Sequence, residues 1–340
     1  MSNLTPVVSV EGLRVRFTTP DATVYAVNGV DFALAPGRVL GILGESGSGK
    51  SVTLRALIGL LPPNRSVVEG RITVAGHEIT RLSEAELREV RGTKIAMVFQ
   101  EPMTALDPVF TIGEQIAETI VRHEGMSRTD AYRRALDLLE MVQIPSAARR
   151  LKSYPHEMSG GMRQRAMIAL ALSCRPAVLL ADEPTTALDV TVQIQIIVLL
   201  RQLQQELGMA VVFVTHDVGV AAEVADHIAV MYAGRFVETG SAENVIRSPA
   251  HPYTAGLLAS TVLGAAQGQR LEAITGTPPD MTSLPPGCSF EPRCRFAEAG
   301  CRHALPPEVA LASDRAVRCL RVAAGEIAMT APNLADHAVW

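Results

Sequence analysis

The sequence predicts an α/β fold built on a parallel sheet, followed by a small Cys- and Pro-rich C-terminal unit. Three observations lead there. Apolar runs of five or six residues recur at Val39–Leu43, Ala177–Ala181 and Ala210–Thr215, the length and composition of strands buried on both faces. Each run breaks into residues that have no place in a core: a Gly-rich loop, an Asp-Glu pair and a His-Asp pair. After Gly240 the chain turns Pro-rich, and four of its five cysteines fall between positions 288 and 319.

A chain of 340 residues has room for one large domain and a smaller one. With 48% hydrophobic and 19% charged residues its composition is that of an ordinary globular protein, and a net charge of −4 is not that of a general nucleic-acid binder. Met1–Pro6 lacks a basic segment followed by an apolar one, so no secretory leader is expected. No run of about 18 apolar residues occurs, so no membrane span is expected. The expected setting is cytosolic, where thiols stay reduced. The cysteine group is then a metal-site candidate before it is a disulfide framework.

Val39–Leu43, bounded by Gly37 and Gly44, runs into Gly44-Glu45-Ser46-Gly47-Ser48-Gly49-Lys50-Ser51, the phosphate-loop pattern G-x-x-x-x-G-K-S/T. Ser51–Leu61, starting Ser51-Val52, has helical composition and stops at Pro62-Pro63. Strand, loop and helix are the context the pattern needs. The glycines let peptide N–H groups wrap phosphates, and the helix start adds positive potential. Lys50 is placed to reach the β- and γ-phosphates, and the Ser51 hydroxyl to ligate Mg2+. The strand Ala177–Ala181 ends in Asp182-Glu183, where Asp182 can hold Mg2+ and Glu183 can polarise an attacking water. Ala210–Thr215 ends in His216-Asp217, which puts His216 on the face where α/β proteins bind ligands.

Between these elements lies Met158-Ser159-Gly160-Gly161-Met162-Arg163-Gln164-Arg165, opening the helical run Ala166–Cys174, and Gln100 ends the strand Lys94–Gln100. Phosphate loop, Gln100, the Ser-Gly-Gly segment, Asp182-Glu183, Ala187-Leu188-Asp189 and His216 follow in the order of the ATP-binding cassette family, which residues 17–240 resemble. The resemblance implies a RecA-like core with an antiparallel β subdomain and a helical subdomain inserted at about 103–175. It implies two ATP molecules sandwiched in a head-to-tail dimer. Ser159, Gly160, Gly161 and Met162 of one subunit would face the γ-phosphate on the other's loop, with Asp189 in the D-loop. Glu183, His216 and Gln100 would be catalytic, Gln100 would join Ser51 and Asp182 around Mg2+, and Phe17, or alternatively Tyr25, would stack on adenine. Met162 departs from the family, which often has Gln there. Within the insert, Ile112–Arg122 and Thr129–Val142 show helical periodicity, with Ser127 or Thr129 suited to cap the second.

The C-terminal stretch Ser248-Pro249-Ala250-His251-Pro252-Tyr253-Thr254, a helix-like Ala255–Leu263 and Gly276-Thr277-Pro278-Pro279-Asp280 resemble the extension of oligopeptide and dipeptide importer ATPases. The division expected is 1–240 for the nucleotide-binding domain, 241–322 for the C-terminal domain and 323–340 for a flexible tail. Cys288, Cys294, Cys301 and Cys319 are spaced C-x5-C-x6-C-x17-C, wider than the close pairs usual in structural zinc sites. A 4Fe-4S cluster is the expectation, in keeping with members of that branch, and Zn2+ is the alternative. Arg293, Arg295 and Arg302 are expected to offset its negative charge. Loss of one cysteine is expected to loosen the tail and leave the phosphate loop intact. Cys174 reads as a small buried residue.

The resemblance implies the ATPase subunit of a peptide importer, peripheral on the cytoplasmic face of the bacterial cell membrane. Its partners would be a second ATPase subunit, identical or paralogous, two permease subunits and an extracytoplasmic solute-binding protein. Nickel chelates, opines and glutathione remain open as solutes. A soluble cassette ATPase outside transport is the rival; such proteins commonly carry two cassettes in one chain, and this chain has one.

Overall fold

The computed structural model describes residues 5–186, 188–261, 273–312 and 314–329. Ala187, the last two residues of the expected helix Ala255–Leu263 and most of the expected tail 323–340 lie outside them.

Two sheets organise the chain. The first is antiparallel. Its strands β1 (Val8–Thr18), β2 (Thr23–Leu34), β4 (Ser66–Val74) and β5 (His77–Glu78) stand in the order β2-β1-β4-β5. The central strands β3 (Val39–Leu43), β6 (Ile95–Val98), β7 (Val178–Asp182) and β8 (Ala210–Thr215) are all-parallel and buried along their whole length. That burial on both faces is why they are uniformly apolar. β9 (His227–Tyr232), β10 (Arg235–Ser241), β11 (Val309–Ala312) and β12 (Arg315–Val317) extend this sheet to the order β11-β12-β10-β9-β3-β8-β7-β6. Residues of the C-terminal region thus add two antiparallel strands to the edge of this sheet.

Register brings the polar strand ends together. Leu43 pairs with Thr215, and Asp182 with Val214, so the residues after β3, β7 and β8 leave the sheet along one edge. Helix α1 (Lys50–Leu57) follows β3 directly. It stops short of Pro62 because Gly59 takes a left-handed φ of +69° behind the C-cap Ile58. Helix α2 (Glu84–Val90) precedes β6.

The insert between β6 and β7 is helical. Helix α3 (Ile112–Glu124) starts in a capping box of Thr111 and Glu114, and α4 (Arg128–Met141) is capped by Ser127. A short α5 (Ala147–Arg150) and α6 (Gly160–Ala171) complete it. Ile112, Ile116 and Ile120 of α3, Leu138 and Leu139 of α4 and Met167 and Ile168 of α6 share one core with α7 (Val190–Leu207) and the face of the parallel sheet. A second core fills the space between the two sheets and α1.

A third core joins β3 and β9 to α8 (Val218–Val224), α9 (Ala242–Arg247), α10 (Pro252–Ala259) and the segment around Phe290. Burial of Phe290, 4% exposed, contributes about 2 kcal/mol to holding that segment on the sheet. Helix α11 (Ala299–His303) contains Cys301, and Cys319 is the N-cap of α12 (Leu320–Ala323). Among the described residues no helix is long and apolar enough to cross a membrane.

Candidate active site

The phosphate loop lies where β3 hands over to α1. Gly49 caps α1 at φ +109°, and a Cβ there would stand 2.4 Å from the Ala26 carbonyl oxygen, so only glycine lets the loop close against β2. Lys50 Nζ donates to the carbonyls of Gly44 at 2.7 Å and Glu45 at 3.0 Å, which folds the loop around its ammonium. Burial holds the Lys50 pKa below its ordinary value, and the charges of Glu183, Asp182 and Glu45 push back. The Ser51 hydroxyl donates to Asp182 Oδ1 at 2.7 Å. Burial raises the Asp182 pKa, and this hydrogen bond opposes the rise. A hydroxyl and a carboxylate side by side, in a pocket where carboxylates outnumber the ammonium, form an oxygen donor set that fits Mg2+.

Glu183 sits next to them with a left-handed φ of +45°, a conformation costing about 1–2 kcal/mol for a residue with a side chain. Its N–H donates to Val214 O at 3.0 Å, which ties the strained turn to β8. Oε1 lies 3.9 Å from Lys50 Nζ. Oε2 accepts from Thr186 Oγ1 at 2.9 Å and meets His216 Nδ1 at 3.0 Å. Lys50, Ser51, Asp182, Glu183 and His216 therefore form one continuous constellation. Gln100 leaves β6 two residues after Val98, which pairs with Ala181, and its side chain is exposed beside the same edge.

Other expected site residues stand apart. Ser159 is the exposed N-cap of α6, its hydroxyl accepting from Met162 N–H at 3.4 Å. Gly161 packs so tightly on α7 that a Cβ would meet Val192 at 2.7 Å, and Met162 tucks half-buried against the helical core. Asp189 caps α7 through Val192 N–H at 3.0 Å. Among the described residues no hydrogen bond or ion pair joins Ser159–Met162 to residues 44–52 of the same chain. Phe17 is half-buried against the inter-sheet core, while Tyr25, 42% exposed, precedes the Ala26 that touches Gly49.

Cys288, Cys294, Cys301 and Cys319 line one cavity, together with Phe290 and Phe296. Burial raises the Cys288 pKa to about 11, with smaller contributions from the other three thiols. Cys294 and Cys319 are raised for the same leading reason. The nearby peptide N–H groups of Phe290 for Cys288, Phe296 for Cys294, and Val322 and Arg321 for Cys319 oppose that rise. Four thiols on one cavity are the type of donor that a thiolate-ligated metal group takes. Among the described residues no group of three or more His, Cys, Asp or Glu side chains is arranged to hold a metal ion. Cys174, just beyond α6, is buried, as expected of a small apolar residue.

Known proteins share this arrangement. The family model described as ABC transporter matches residues 27–186, and the one described as Oligopeptide/dipeptide transporter, C-terminal region, matches residues 237–301. The dipeptide transport ATP-binding protein DppD of Bacillus subtilis is 48% identical over 314 residues, covering 92% of this chain and 94% of that protein. The chain belongs to the ATP-binding cassette transporter family. It is an ATPase of that family. The oligopeptide transport ATP-binding protein OppD of Salmonella typhimurium is 49% identical over 312 residues, with 92% of each chain covered. A cassette solved as a dimer in a post-hydrolysis state, bound to ADP and Pi, superposes with a TM-score of 0.62 at 31% identity, over 69% of this chain and 98% of that one.

Two expectations about this cassette need correction. Arg293 and Arg302 do not serve the cysteines. Arg293 grips Glu45 of the phosphate loop at 2.7 and 3.0 Å, and Arg302 pairs with Glu291 at 2.8 Å. Arg321 lines the cysteine cavity, and its charge acts on Cys294 and Cys319. Arg293 also ties the C-terminal region to the phosphate loop. Tyr253 also went unassigned in the sequence: its hydroxyl accepts the Glu45 N–H at 2.9 Å. The His251-Pro252-Tyr253-Thr254 segment was the available signal. His251, with its pKa lowered to about 3 by complete burial, accepts the Tyr253 N–H and fixes the start of α10.

Proposed function

We propose that this cassette is the ATP-hydrolysing subunit of an importer for di- or oligopeptides. The observation that carries the reading is a complete phosphate loop, Asp182-Glu183 and His216 on one sheet edge, in a chain whose C-terminal region matches that of oligopeptide/dipeptide transporters. The N–H groups of Gly44–Val52 wrap the triphosphate, and Lys50 contacts its β- and γ-phosphates. Phe17, with Tyr25 as the alternative, supplies the aromatic face for adenine. Ser51 and Asp182, joined by Gln100, hold Mg2+. When bound, that ion neutralises charge on the phosphate oxygens. Glu183 takes a proton from the water that attacks the γ-phosphorus, and His216 holds the Glu183 carboxylate in place. Ser159, Gly160, Gly161 and Met162 serve the nucleotide of the second ATPase subunit, with Asp189 at the same junction. Closure of that dimer drives two permease subunits fed by an extracytoplasmic binding protein, so the chain sits peripherally on the cytoplasmic face of the membrane. The test is uptake by the complete transporter in proteoliposomes. Peptide entering only with internal MgATP is the expected result; entry of a metal chelate but no peptide would sink the substrate assignment.

The four cysteines are proposed to hold a 4Fe-4S cluster. Support comes from the four thiols lining one cavity. Its role is to staple a segment with little core of its own. Anaerobically purified protein is expected to be brown, with about four iron and about four sulfide per chain. Colourless protein with about one zinc per chain would replace the cluster and keep the site.

A further inference from the structure

The segment between Cys288 and Cys294 bears on the phosphate loop from two sides. Arg293, its side chain 5% exposed, forms a two-pronged ion pair with Glu45: Nη1 to Oε2 at 2.7 Å and Nη2 to Oε1 at 3.0 Å. The guanidinium is itself fixed from behind. Nε donates to Thr275 O at 2.9 Å, Nη1 to the Tyr232 hydroxyl at 3.3 Å, and the group faces the Tyr232 ring at 5.8 Å. Phe290 packs on Tyr232 at 5.3 Å and on Tyr253 at 5.4 Å, and Tyr253 holds the Glu45 N–H.

Glu45 is an acid inside a loop that binds an anion. Its carbonyl accepts from Lys50 Nζ, so its carboxylate belongs to the same few residues that take the triphosphate. Left bare, that carboxylate would repel the phosphates and compete for the Lys50 ammonium. A forked guanidinium neutralises both carboxylate oxygens at once and fixes their direction, which a flexible lysine does not.

We propose that Arg293 is a positioning residue of the nucleotide site, neutralising and orienting Glu45 so that the phosphate loop accepts MgATP, and that it links the four-cysteine segment to ATP affinity. The proposal rests on the ATPase assignment; a wild-type transporter without ATPase activity would count against that assignment and not against Arg293.

The experiment measures KM for MgATP and kcat of the assembled transporter. Arg293→Gln is expected to raise KM about ten-fold or more and to change kcat much less, because a charge is uncovered near the phosphates. Adding Glu45→Gln to Arg293→Gln is expected to bring KM down again, since the uncovered charge is gone. An unmoved KM in Arg293→Gln, or a double variant no better than the single, overturns the proposal; the second result is what a purely structural contact gives. If Arg293→Gln does not fold, Arg293→Lys decides. Its KM is expected to rise about three-fold, the fork being lost with the charge kept, and a wild-type KM would refute the assignment.

Discussion

Glu183→Gln is expected to bind MgATP and to turn it over at least about a hundred-fold more slowly than the wild type. The change is nearly isosteric, so the strained turn at φ +45° and its bond to Val214 O have no reason to move. Thr186 Oγ1 and His216 Nδ1 both address Oε2, the first at 2.9 Å and the second at 3.0 Å. Among the described residues Oε1 has no hydrogen-bond partner, and it lies 3.9 Å from Lys50 Nζ. A carboxylate there can take a proton from water, and an amide cannot. Binding survives because the loop, Lys50 and Ser51 are untouched. If bound ATP is not consumed, the dimer it closes should persist, visible as a nucleotide-dependent dimer in size-exclusion chromatography. Turnover within a few-fold of wild type would mean that another group is the base.

Much of this site is local in sequence, which is why it could be read there. β3 and β8 match the apolar runs Val39–Leu43 and Ala210–Thr215 at both ends, because a strand buried on two faces must be apolar throughout. Their ends carry the chemistry in adjacent residues, so no long-range knowledge is required. Boundaries set by backbone conformation were harder. Helix α1 ends at Leu57 rather than Leu61 because Gly59, not Pro62, breaks it. The strand expected over Lys94–Gln100 spans only Ile95–Val98, the stretch that pairs with Val178–Ala181 of β7.

What the sequence withheld are pairings between distant segments. Arg293 and Glu45 are 248 residues apart, and nothing in either neighbourhood announces the other. Arg293 lies between two cysteines, so counting charges assigned it to them; only the fold shows it pointing away. β11 is short and largely exposed and β12 is three residues long, yet β12 pairs with β10 and β11 with β12, which adds both to the sheet. Charge patterning identifies which groups need partners. It does not say which partner the chain will deliver.

Lys50→Ala and Ser159→Ala are expected to fail in different ways. Lys50 is 4% exposed and holds two loop carbonyls with its ammonium, so its loss both removes a phosphate contact and frees the loop. Affinity for MgATP should fall at least about a hundred-fold, measured on the isolated chain by titration with a fluorescent ATP analogue. Ser159 is exposed at the start of α6 and has no bond to its own phosphate loop. In the proposed dimer its hydroxyl and the first N–H groups of α6 would serve the second subunit's nucleotide. In the isolated chain Ser159→Ala should therefore keep wild-type affinity. Only the N-cap is lost, at about 1 kcal/mol, a small shift in thermal unfolding. In the assembled transporter the same change should slow hydrolysis about ten-fold or more, because Ser159 then meets the second subunit's ATP. An equal loss of nucleotide affinity in both isolated variants would contradict a site shared between subunits, for then Ser159 would be acting on its own chain's phosphates.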